Sequence, residues 1–335
     1  MFFERQLVIK ETYHIGNKGT NGAFNVAYGV DKNFLLGSMI SMASLLMNNS
    51  STHFSFHLFT DYFNEDYQAK LKQLSAQYHC DISVYLVDCD ELKKLPSTKN
   101  WSYAMYFRFL ALDFIHIDED RVLYLDADVV CKNSVQKLVD LVLDNYTAAV
   151  VKDGDSNFWF ERSKTFEVPE ISNGYFNSGV MLVNLKNWLK SHITERAMKM
   201  LSNPETQAKL VFPDQDVLNI LLCKDILFLD NHYNTQTSIN FELQCKNNQK
   251  YPHPIIDETV FIHYIGPTKP WHIWAKYPVS DYFYLAKKHS PWQDSPLIGA
   301  LSTSSLRYQA KHQIHQGKYL HGIWRYLKYF CAKLR

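Results

Sequence analysis

Strand-like and helix-like segments alternate through the first half of the chain, and this alternation limits the possible folds more than any other feature. The residue patterns predict strands at 24–30, 54–59, 82–87 and 121–125, and helices at 34–47, 65–78 and 102–114. Such alternation is typical of βαβ units, in which helices connect the strands of a mostly parallel sheet. Ligands of these sheets bind beyond the carboxyl ends of the strands, so we expect functional residues after Val30 and after Leu125.

The second half of the chain is less regular. We expect strands at 180–184 and 259–264, a helix at 217–222, and a helical, basic region from Tyr282 onwards. The chain therefore divides into an N-terminal lead-in (1–23), an α/β domain that carries the site (24–280) and a C-terminal helical region (281–335). Its 335 residues, of which 46% are apolar, are sufficient for one large α/β core with an appended region.

Cysteine usage and apolar runs indicate the compartment. The six cysteines form no CxxC pair and no disulfide-framework spacing, so we expect free thiols in a reducing compartment. The N-terminus shows no basic segment followed by an apolar core, and we expect no signal peptide. No apolar run is long enough to span a bilayer. These features predict a protein that is cytoplasmic or peripheral on a membrane.

The strongest local signal is a pair of carboxylates, Asp126 and Asp128, directly after the apolar strand at 121–125. Two neighbouring charges at a strand end require water or a cation, because an uncompensated buried charge is costly. Carboxylate oxygens are hard ligands that suit Mg²⁺ or Mn²⁺, and these ions keep open positions for phosphates. An isolated Asp-x-Asp is equally compatible with a solvated loop, so the motif alone leaves both readings open.

A second segment, from His263 to His272, follows the last predicted strand. His263 could be a third metal ligand, Gly266 could allow close backbone approach, and Lys269 could supply a positive charge for phosphate. By spacing alone, a turn with a core histidine explains the segment better.

Two further segments carry polar residues beside predicted elements. Asp214, Gln215 and Asp216 follow Pro213 at the start of the helix, where carboxylates are ordinary helix N-terminal charges. Asn177 lies among small residues before the strand at 180–184, which could be a turn and nothing more.

Taken together, these segments resemble glycosyltransferase family 8, and specifically its bacterial lipopolysaccharide hexosyltransferases. The matching segments run in the family's order and lie at 25–33, 103–108, 123–128, 176–179, 214–216 and 263–272. Six ordered segments are far more specific than any one of them. The resemblance covers residues 24 to 275, and a family-like C-terminal region follows.

The resemblance implies a GT-A type fold, in which a Rossmann-like α/β domain binds a UDP-sugar and one Mn²⁺ or Mg²⁺ ion. Carried over position by position, the metal ligands are Asp126, Asp128 and His263. The expected uracil and ribose contacts are Asp31 and Asn33. The expected donor-sugar contacts are Arg108, Asp153 and Asn177. The expected diphosphate contacts are Gly266 and Lys269.

The resemblance also implies a reaction that retains the anomeric configuration and forms an α-glycosidic bond. Gln215 matches the position that faces the anomeric carbon, and an amide is a poor nucleophile compared with the carboxylate of a retaining glycosidase. We therefore expect the acceptor hydroxyl to attack on the face from which UDP departs. Covalent catalysis by Asp214 or Asp216 is the alternative. The expected donor is UDP-glucose, with UDP-galactose possible, and the expected acceptor is the lipopolysaccharide outer core.

The C-terminal region carries a separate signal. Seven basic residues and no acidic residue follow Asp294, so the rest of the chain is net acidic although the total formal charge is +1. One helical face between 318 and 335 carries apolar residues, namely Leu320, Ile323, Trp324, Leu327, Cys331 and Leu334. An amphipathic basic helix is typical of binding to an anionic membrane surface, here the cytoplasmic face of the inner membrane. The alternative is a helix docked on the α/β domain with a solvated basic face.

Other functional classes are less compatible with the sequence. Nucleic-acid binding is not expected, because the body is acidic and no recognition motif is present. A self-glycosylating primer protein is a second enzyme hypothesis, since eukaryotic members of the family glycosylate their own tyrosines and this chain has 21 tyrosines. A non-enzymatic carbohydrate-binding module is a third, although it would not need a carboxylate pair, a histidine and a lysine at one site.

Overall fold

The computed structural model of the chain describes residues 3–16, 22–95, 103–115, 120–245 and 251–334. Within these ranges the strands are β1 (Ile9–Ile15), β2 (Phe24–Val30), β3 (Phe54–Thr60), β4 (Asp81–Val87), β5 (Arg121–Leu125), β6 (Val129–Cys131), β7 (Ala148–Lys152), β8 (Phe176–Asn184), β9 (Ile226–Leu229), β10 (Thr235–Thr237) and β11 (Phe261–Tyr264). The helices are α1 (Arg5–Val8), α2 (Leu35–Asn48), α3 (Glu65–Tyr78), α4 (Phe107–Phe114), α5 (Gln136–Val139), α6 (Ser156–Phe166), α7 (Leu185–Lys190), α8 (Ile193–Leu201), α9 (Pro204–Lys209), α10 (Pro213–Leu222), α11 (Asp281–Lys288), α12 (Thr303–His315) and α13 (Tyr319–Lys333).

An eight-stranded mixed sheet, in the order β1-β4-β3-β2-β5-β8-β7-β9, forms the centre of the fold. β2 lies parallel to both β3 and β5, and β3 lies parallel to β4, so the four strands predicted in the first half form a continuous parallel block. β8 lies antiparallel between β5 and β7. β10, β11 and β6 form a second sheet of three strands. The predicted α/β class is confirmed.

Both faces of the large sheet are covered by apolar side chains. One core includes the buried residues of α2 and α11 together with Trp271. The other core includes the buried residues of α4, α8 and α10. Coverage on both faces explains why the parallel strands are almost continuously apolar, since a strand buried on both sides has no solvent-facing positions.

Local sequence signals explain where several helices begin. Asn64 caps α3 by accepting a hydrogen bond from the Tyr67 amide, and Glu65 and Asp66 lie in the first turn, where the helix dipole favours negative charge. α2 is buried on almost all sides and requires close packing. A Cβ atom on Gly37 would lie 2.5 Å from the Trp271 ring, so only glycine allows α2 to approach this ring so closely.

The structure extends the sequence prediction at two places. The lead-in contains α1 and β1, and β1 pairs antiparallel with β4 at the sheet edge. Most of β1 is exposed, and an exposed edge strand has too few apolar positions to give a clear alternation. The helix predicted at 102–114 is a 3₁₀ turn, Tyr103–Tyr106, followed by α4. Residues 17–21 and residue 102 lie outside the described ranges.

The C-terminal helices differ in how they contact the rest of the protein. α11 packs against α2, and its residues Phe283 and Ala286 are buried. α12 packs against α13 and begins with a reciprocal capping box between Ser302 and Ser305. Among the helices of the described ranges, none is both long enough and apolar enough to cross a bilayer. The boundary between the α/β domain and the C-terminal region, predicted at 280, stays a prediction.

Candidate active site

Three potential metal ligands converge at the carboxyl end of β5. Asp126 and Asp128 lie in the turn between β5 and β6, and His263 lies on β11 beside Val129 of β6. One ligand atom from each of the three side chains lies within 4.8 Å of the others. The position after β5 is the one that the strand-end rule indicates.

A glycine makes this convergence possible. The backbone oxygen of Gly179 on β8 accepts a hydrogen bond from the Asp126 amide at 2.8 Å. A Cβ atom on Gly179 would overlap the His263 ring and lie 2.8 Å from Asp126 Oδ2. Any other residue at this position would therefore separate the histidine from the carboxylate.

Asp128 carries the strongest electrostatic interactions of the three. Its Oδ1 lies 3.2 Å from His263 Nε2, and its Oδ2 contacts the Lys269 ammonium, which also donates to the Tyr264 carbonyl at 2.7 Å. Burial favours the neutral form, but Lys269 and His263 outweigh burial and hold the pKa of the Asp128 carboxyl well below its usual range. Asp128 is therefore a carboxylate at neutral pH.

Arg108 connects the carboxylate pair to the start of α10. Its buried guanidinium lies 3.0 Å from Asp126 Oδ1 and 3.0 Å from Asp214 Oδ2, and donates to the Ser178 carbonyl at 2.8 Å. Burial raises the pKa of Asp214, Arg108 lowers it, and the nearby Asp126 raises it, so that the net shift is upward. One guanidinium therefore compensates two carboxylates.

Gln215 lies at the centre of an amide network and is 7% exposed. Its Oε1 accepts from Asn177 Nδ2 at 3.1 Å and from the Ser178 amide at 3.0 Å. Its Nε2 donates to Asp153 Oδ2 at 3.1 Å. Both ends of the Gln215 amide are thus oriented by surrounding groups. Three sequence-predicted residues, Gln215, Asn177 and Asp153, lie in direct contact.

Asp216 is buried in the protein and is connected to Gln215 through the Tyr175 hydroxyl, to which Gln215 Nε2 donates at 3.3 Å. It is 0% exposed and accepts hydrogen bonds from Tyr175 Oη at 2.6 Å and from the amides of residues 211 and 212. The Arg162 guanidinium lies 2.6 Å from its Oδ2. These contacts come from groups of the protein itself and give Asp216 a structural environment.

The remaining predicted residues follow strands of the two different sheets. Asp31 follows β2, which is the neighbour of β5, and its Oδ1 accepts from the Asn33 amide at 2.9 Å. Gly266 follows β11 and has a φ of +81°, a left-handed conformation that favours glycine. The nucleotide contacts predicted for Asp31 and Asn33 stay predictions.

Sequence reasoning missed two polar residues of this network. Asn234 ends a 3₁₀ turn and lies between His263 and Asn177, at 3.0 Å and 2.9 Å. Gln236 on β10 donates to Asp153 Oδ1 at 3.2 Å. Their local sequence, Asn231 to Gln236, is typical of a turn. The pairing of β10 with β11 places Gln236 beside His263, and this pairing is seen in the fold rather than in the local sequence.

The sheet with both faces covered, the carboxylate pair after β5, His263 on β11 and Lys269 after it form the arrangement that the family resemblance predicts for a GT-A type fold. The fold is similar to that of LgtC in complex with donor and acceptor sugar analogues, with a TM-score of 0.63, 22% identity, and coverage of 79% of this chain and 96% of that chain. It is also similar to the apo structure of the bifunctional glycosyltransferase WbbM, with a TM-score of 0.65, 18% identity, and coverage of 84% and 52%. These similarities concern the fold.

The sequence comparisons identify the family. The profile of glycosyl transferase family 8 matches residues 25–275, and the profile of its C-terminal region matches residues 277–333. The chain belongs to glycosyl transferase family 8 and is a glycosyltransferase.

Similar proteins with curated descriptions span almost the whole chain. The lipopolysaccharide 1,3-galactosyltransferase of Salmonella typhimurium is 46% identical, with coverage of 99% of this chain and 98% of that protein. The lipopolysaccharide glucosyltransferase WaaO of Escherichia coli K12 is 44% identical, with coverage of 94% and 92%. A lipopolysaccharide 1,2-glucosyltransferase of the same strain is 40% identical, with coverage of 96% and 94%.

Proposed function

We propose that this enzyme transfers a hexose from a UDP-sugar to a lipopolysaccharide outer-core acceptor, in a divalent-metal-dependent reaction that retains the anomeric configuration. The observation that carries the proposal is the convergence of Asp126, Asp128 and His263 within 4.8 Å, with Lys269 in contact with Asp128. The names of the similar lipopolysaccharide transferases support the acceptor class.

The donor set fits a hard divalent cation. Two carboxylates and one imidazole suit Mn²⁺ or Mg²⁺, which leave coordination positions for phosphate oxygens. When bound, such an ion acts as a Lewis acid that neutralises negative charge on the departing diphosphate. Lys269 adds a positive charge at the same place, and Gly266 leaves room for backbone approach to the diphosphate. Asp31 and Asn33 are the proposed uracil and ribose contacts.

The surroundings of the three α10 residues favour attack on the face from which UDP departs. Asp216 is buried and bound by Arg162, and Asp214 is bound by Arg108, so neither carboxylate is placed as a solvent-facing nucleophile. The Gln215 amide is held by Asn177, the Ser178 backbone amide, Asp153 and the Tyr175 hydroxyl, and we propose that it orients the donor sugar rather than attacking it. Arg108, Asp153 and Asn177 are the proposed contacts of that sugar.

The proposed donor is UDP-glucose, with UDP-galactose as the alternative. Two of the three similar proteins described above are named glucosyltransferases and one a galactosyltransferase. The two hexoses differ in the orientation of one hydroxyl group. Gln215 and Gln236 both donate to Asp153, which is one of the proposed donor-sugar contacts.

The proposed location is the cytoplasmic face of the inner membrane, with α13 as the contact. The exposed apolar residues of α13 include Leu320 at 84%, Ile323 at 54% and Trp324 at 57%. Its basic residues Arg325 and Lys328 complement anionic headgroups. An apolar face this exposed is not explained by docking of α13 onto the α/β domain.

The test is release of UDP by the purified protein, with UDP-glucose or UDP-galactose, with and without truncated lipopolysaccharide. We expect release from one donor, stimulation by the acceptor, and loss of the reaction on chelation that is restored by Mn²⁺. Release from neither donor in the presence of acceptor would contradict the proposal. An increase in intact mass with donor alone would instead support self-glycosylation.

The stereochemical part of the proposal has its own test. A hexosyl adduct on Asp214 or Asp216, trapped with a slow acceptor and detected by mass spectrometry, would contradict same-face attack. Absence of any adduct, together with an α-linked product by NMR, is the expected result.

A further inference from the structure

The Asn234 side chain connects the proposed metal ligand His263 to the amides around the proposed sugar position. Asn234 is 2% exposed. Its Oδ1 lies 3.0 Å from His263 Nδ1, and its Nδ2 donates to Asn177 Oδ1 at 2.9 Å. None of the sequence motifs includes this residue.

Backbone amides determine how this carboxamide is oriented. The Gly179 amide can only donate, and it donates to Asn177 Oδ1 at 3.0 Å. The Asn177 oxygen is therefore the atom that faces Asn234, which must present its own NH₂ group in that direction. The Ser178 amide orients Gln215 Oε1 in the same manner, and this oxygen accepts from Asn177 Nδ2, which is consistent with the same Asn177 orientation.

The orientation of Asn234 in turn determines the state of His263. Because Asn234 presents its oxygen to the imidazole, Nδ1 must carry a hydrogen and donate it. The neutral imidazole then has its lone pair on Nε2, which faces Asp128 Oδ1 at 3.2 Å. A lone pair beside a carboxylate oxygen is unfavourable unless a proton or a cation lies between them.

We propose that Asn234 is a positioning residue that holds His263 in the Nδ1–H tautomer and so presents Nε2 to the divalent cation. This proposal rests on the proposed function. The same carboxamide orients Asn177, so one side chain aligns the cation ligand with the donor-sugar contacts. Partners of this kind typically change metal affinity by about 10–100-fold when they are removed.

The test compares two substitutions that affect the hydrogen bonds of Asn234 to His263 and to Asn177 differently. Asn234→Leu has a similar size and removes both bonds, so we expect Mn²⁺ affinity, measured by electron paramagnetic resonance, to fall by about 10–100-fold. Asn234→Asp keeps the acceptor for His263 but cannot donate to Asn177. We expect it to bind Mn²⁺ within about threefold of wild type, with kcat lowered more than the Mn²⁺ affinity.

The tautomer is measured directly, in metal-free protein, by ¹⁵N NMR of the histidine rings, with His263→Gln used to assign the signal. We expect a protonated Nδ1 in wild type and in Asn234→Asp, and a mixture or the Nε2–H form in Asn234→Leu. Asn231→Leu, an exposed position in the same 3₁₀ turn, is the matched control and should change neither readout.

Two results would overturn the inference: wild-type Mn²⁺ affinity in Asn234→Leu, or a His263 ring without a hydrogen on Nδ1 in the wild-type protein. If Asn234→Leu does not fold, an Nε2–H tautomer in Asn234→Asp overturns it. Because the NMR readout needs no metal, failure of the wild type to bind Mn²⁺ would contradict the proposed function without affecting the tautomer result.

Discussion

The strand-end site and helix α13 depart from the usual distribution of side chains in opposite directions. The site buries charged groups, with Arg108 at 3% exposure and Asp214 at 5%, whereas α13 exposes Leu320 at 84% and Trp324 at 57%. Buried charges are costly unless they are paired. Apolar surface that stays exposed loses the stabilising free energy of burial, which is about 25 cal/mol per Å². We propose that each region binds a ligand outside the chain: an anionic donor at the site and a membrane surface at α13.

A comparison of α12 with α13 shows where the C-terminal region stops contacting the α/β domain. His312 on α12 is 0% exposed and lies 2.8 Å from Tyr277 Oη and 2.9 Å from Asn240 Oδ1. Gln316 donates to the Trp274 carbonyl at 2.9 Å. α12 therefore belongs to the docked part of the protein. Gly317, with a φ of +76°, ends that part and begins the exposed one.

The largest expected effect is on turnover in the site. Asp126→Ala or Asp128→Ala should lower kcat by about a thousandfold or more, because each removes a proposed metal ligand and with it several kcal/mol of transition-state stabilisation. The measurement is Mn²⁺-dependent UDP release, with thermal unfolding as the check on the fold. Glu258→Ala, an exposed carboxylate, is the control and should retain full activity. Retained activity in both aspartate variants would contradict the proposal that these residues hold a metal ion needed for turnover.

The second effect is on stability, and it distinguishes the buried carboxylate of Asp216 from the proposed metal ligand Asp126. Asp216→Ala leaves Arg162 unpaired, and breaking a buried ion pair typically costs about 3–5 kcal/mol. We expect the free energy of unfolding, measured with denaturant, to fall by that amount. Asp126→Ala, whose carboxylate is partly exposed, should destabilise much less. Equal losses in the two variants would contradict the distinction.

The third effect concerns α13 alone. A chain that ends at Gly317 should bind anionic liposomes at least about tenfold more weakly, while its rate of UDP release with a soluble acceptor stays unchanged. The double substitution Arg325→Glu with Lys328→Glu should weaken binding in the same direction. Lys190→Glu, an exposed cation elsewhere, is the control. Unchanged sedimentation of the truncated protein with liposomes would contradict the membrane role.

The smallest effect is a pH dependence of stability caused by α12. Burial, with smaller contributions from nearby basic groups, lowers the pKa of His312 to about 3. In the unfolded chain a histidine has a pKa of about 6.5, so the unfolded state binds the extra proton and stability falls as the pH drops from about 6.5 towards 3. One such group contributes up to about 1.4 kcal/mol per pH unit.

The matched variants are His312→Gln and His321→Gln, the second on the exposed helix. Denaturant unfolding between pH 7 and pH 4 should give a shallower dependence for His312→Gln, after allowance for its lower overall stability. His321→Gln should follow the wild type. An unchanged slope for His312→Gln would mean that α12 is not docked through this residue.

The sequence predicts the parallel part of the sheet well, because β2 to β5 are strongly apolar and separated by helices of ordinary length. It predicts β1 poorly, because an exposed edge strand lacks alternation, and it does not predict that β8 lies antiparallel between β5 and β7. The convergence of Asp126, Asp128 and His263 follows from the family resemblance rather than from spacing.

Other site features depend on contacts between distant segments. Asn234 lies 57 residues from Asn177 and 29 from His263 along the chain, and no local pattern marks it. The burial of Asp216 is likewise invisible in its motif, since Asp214 and Asp216 have the same spacing from Gln215. Only the fold shows that Asp216 faces Arg162 while Asp214 faces Arg108.

The most direct test of the central claim is anomalous diffraction from crystals grown with Mn²⁺ and UDP. The account predicts one manganese peak coordinated by Asp126, Asp128 and His263, with diphosphate oxygens completing the coordination beside Lys269. UDP bound at this edge of the sheet without a manganese peak, or manganese bound by other residues, would contradict it.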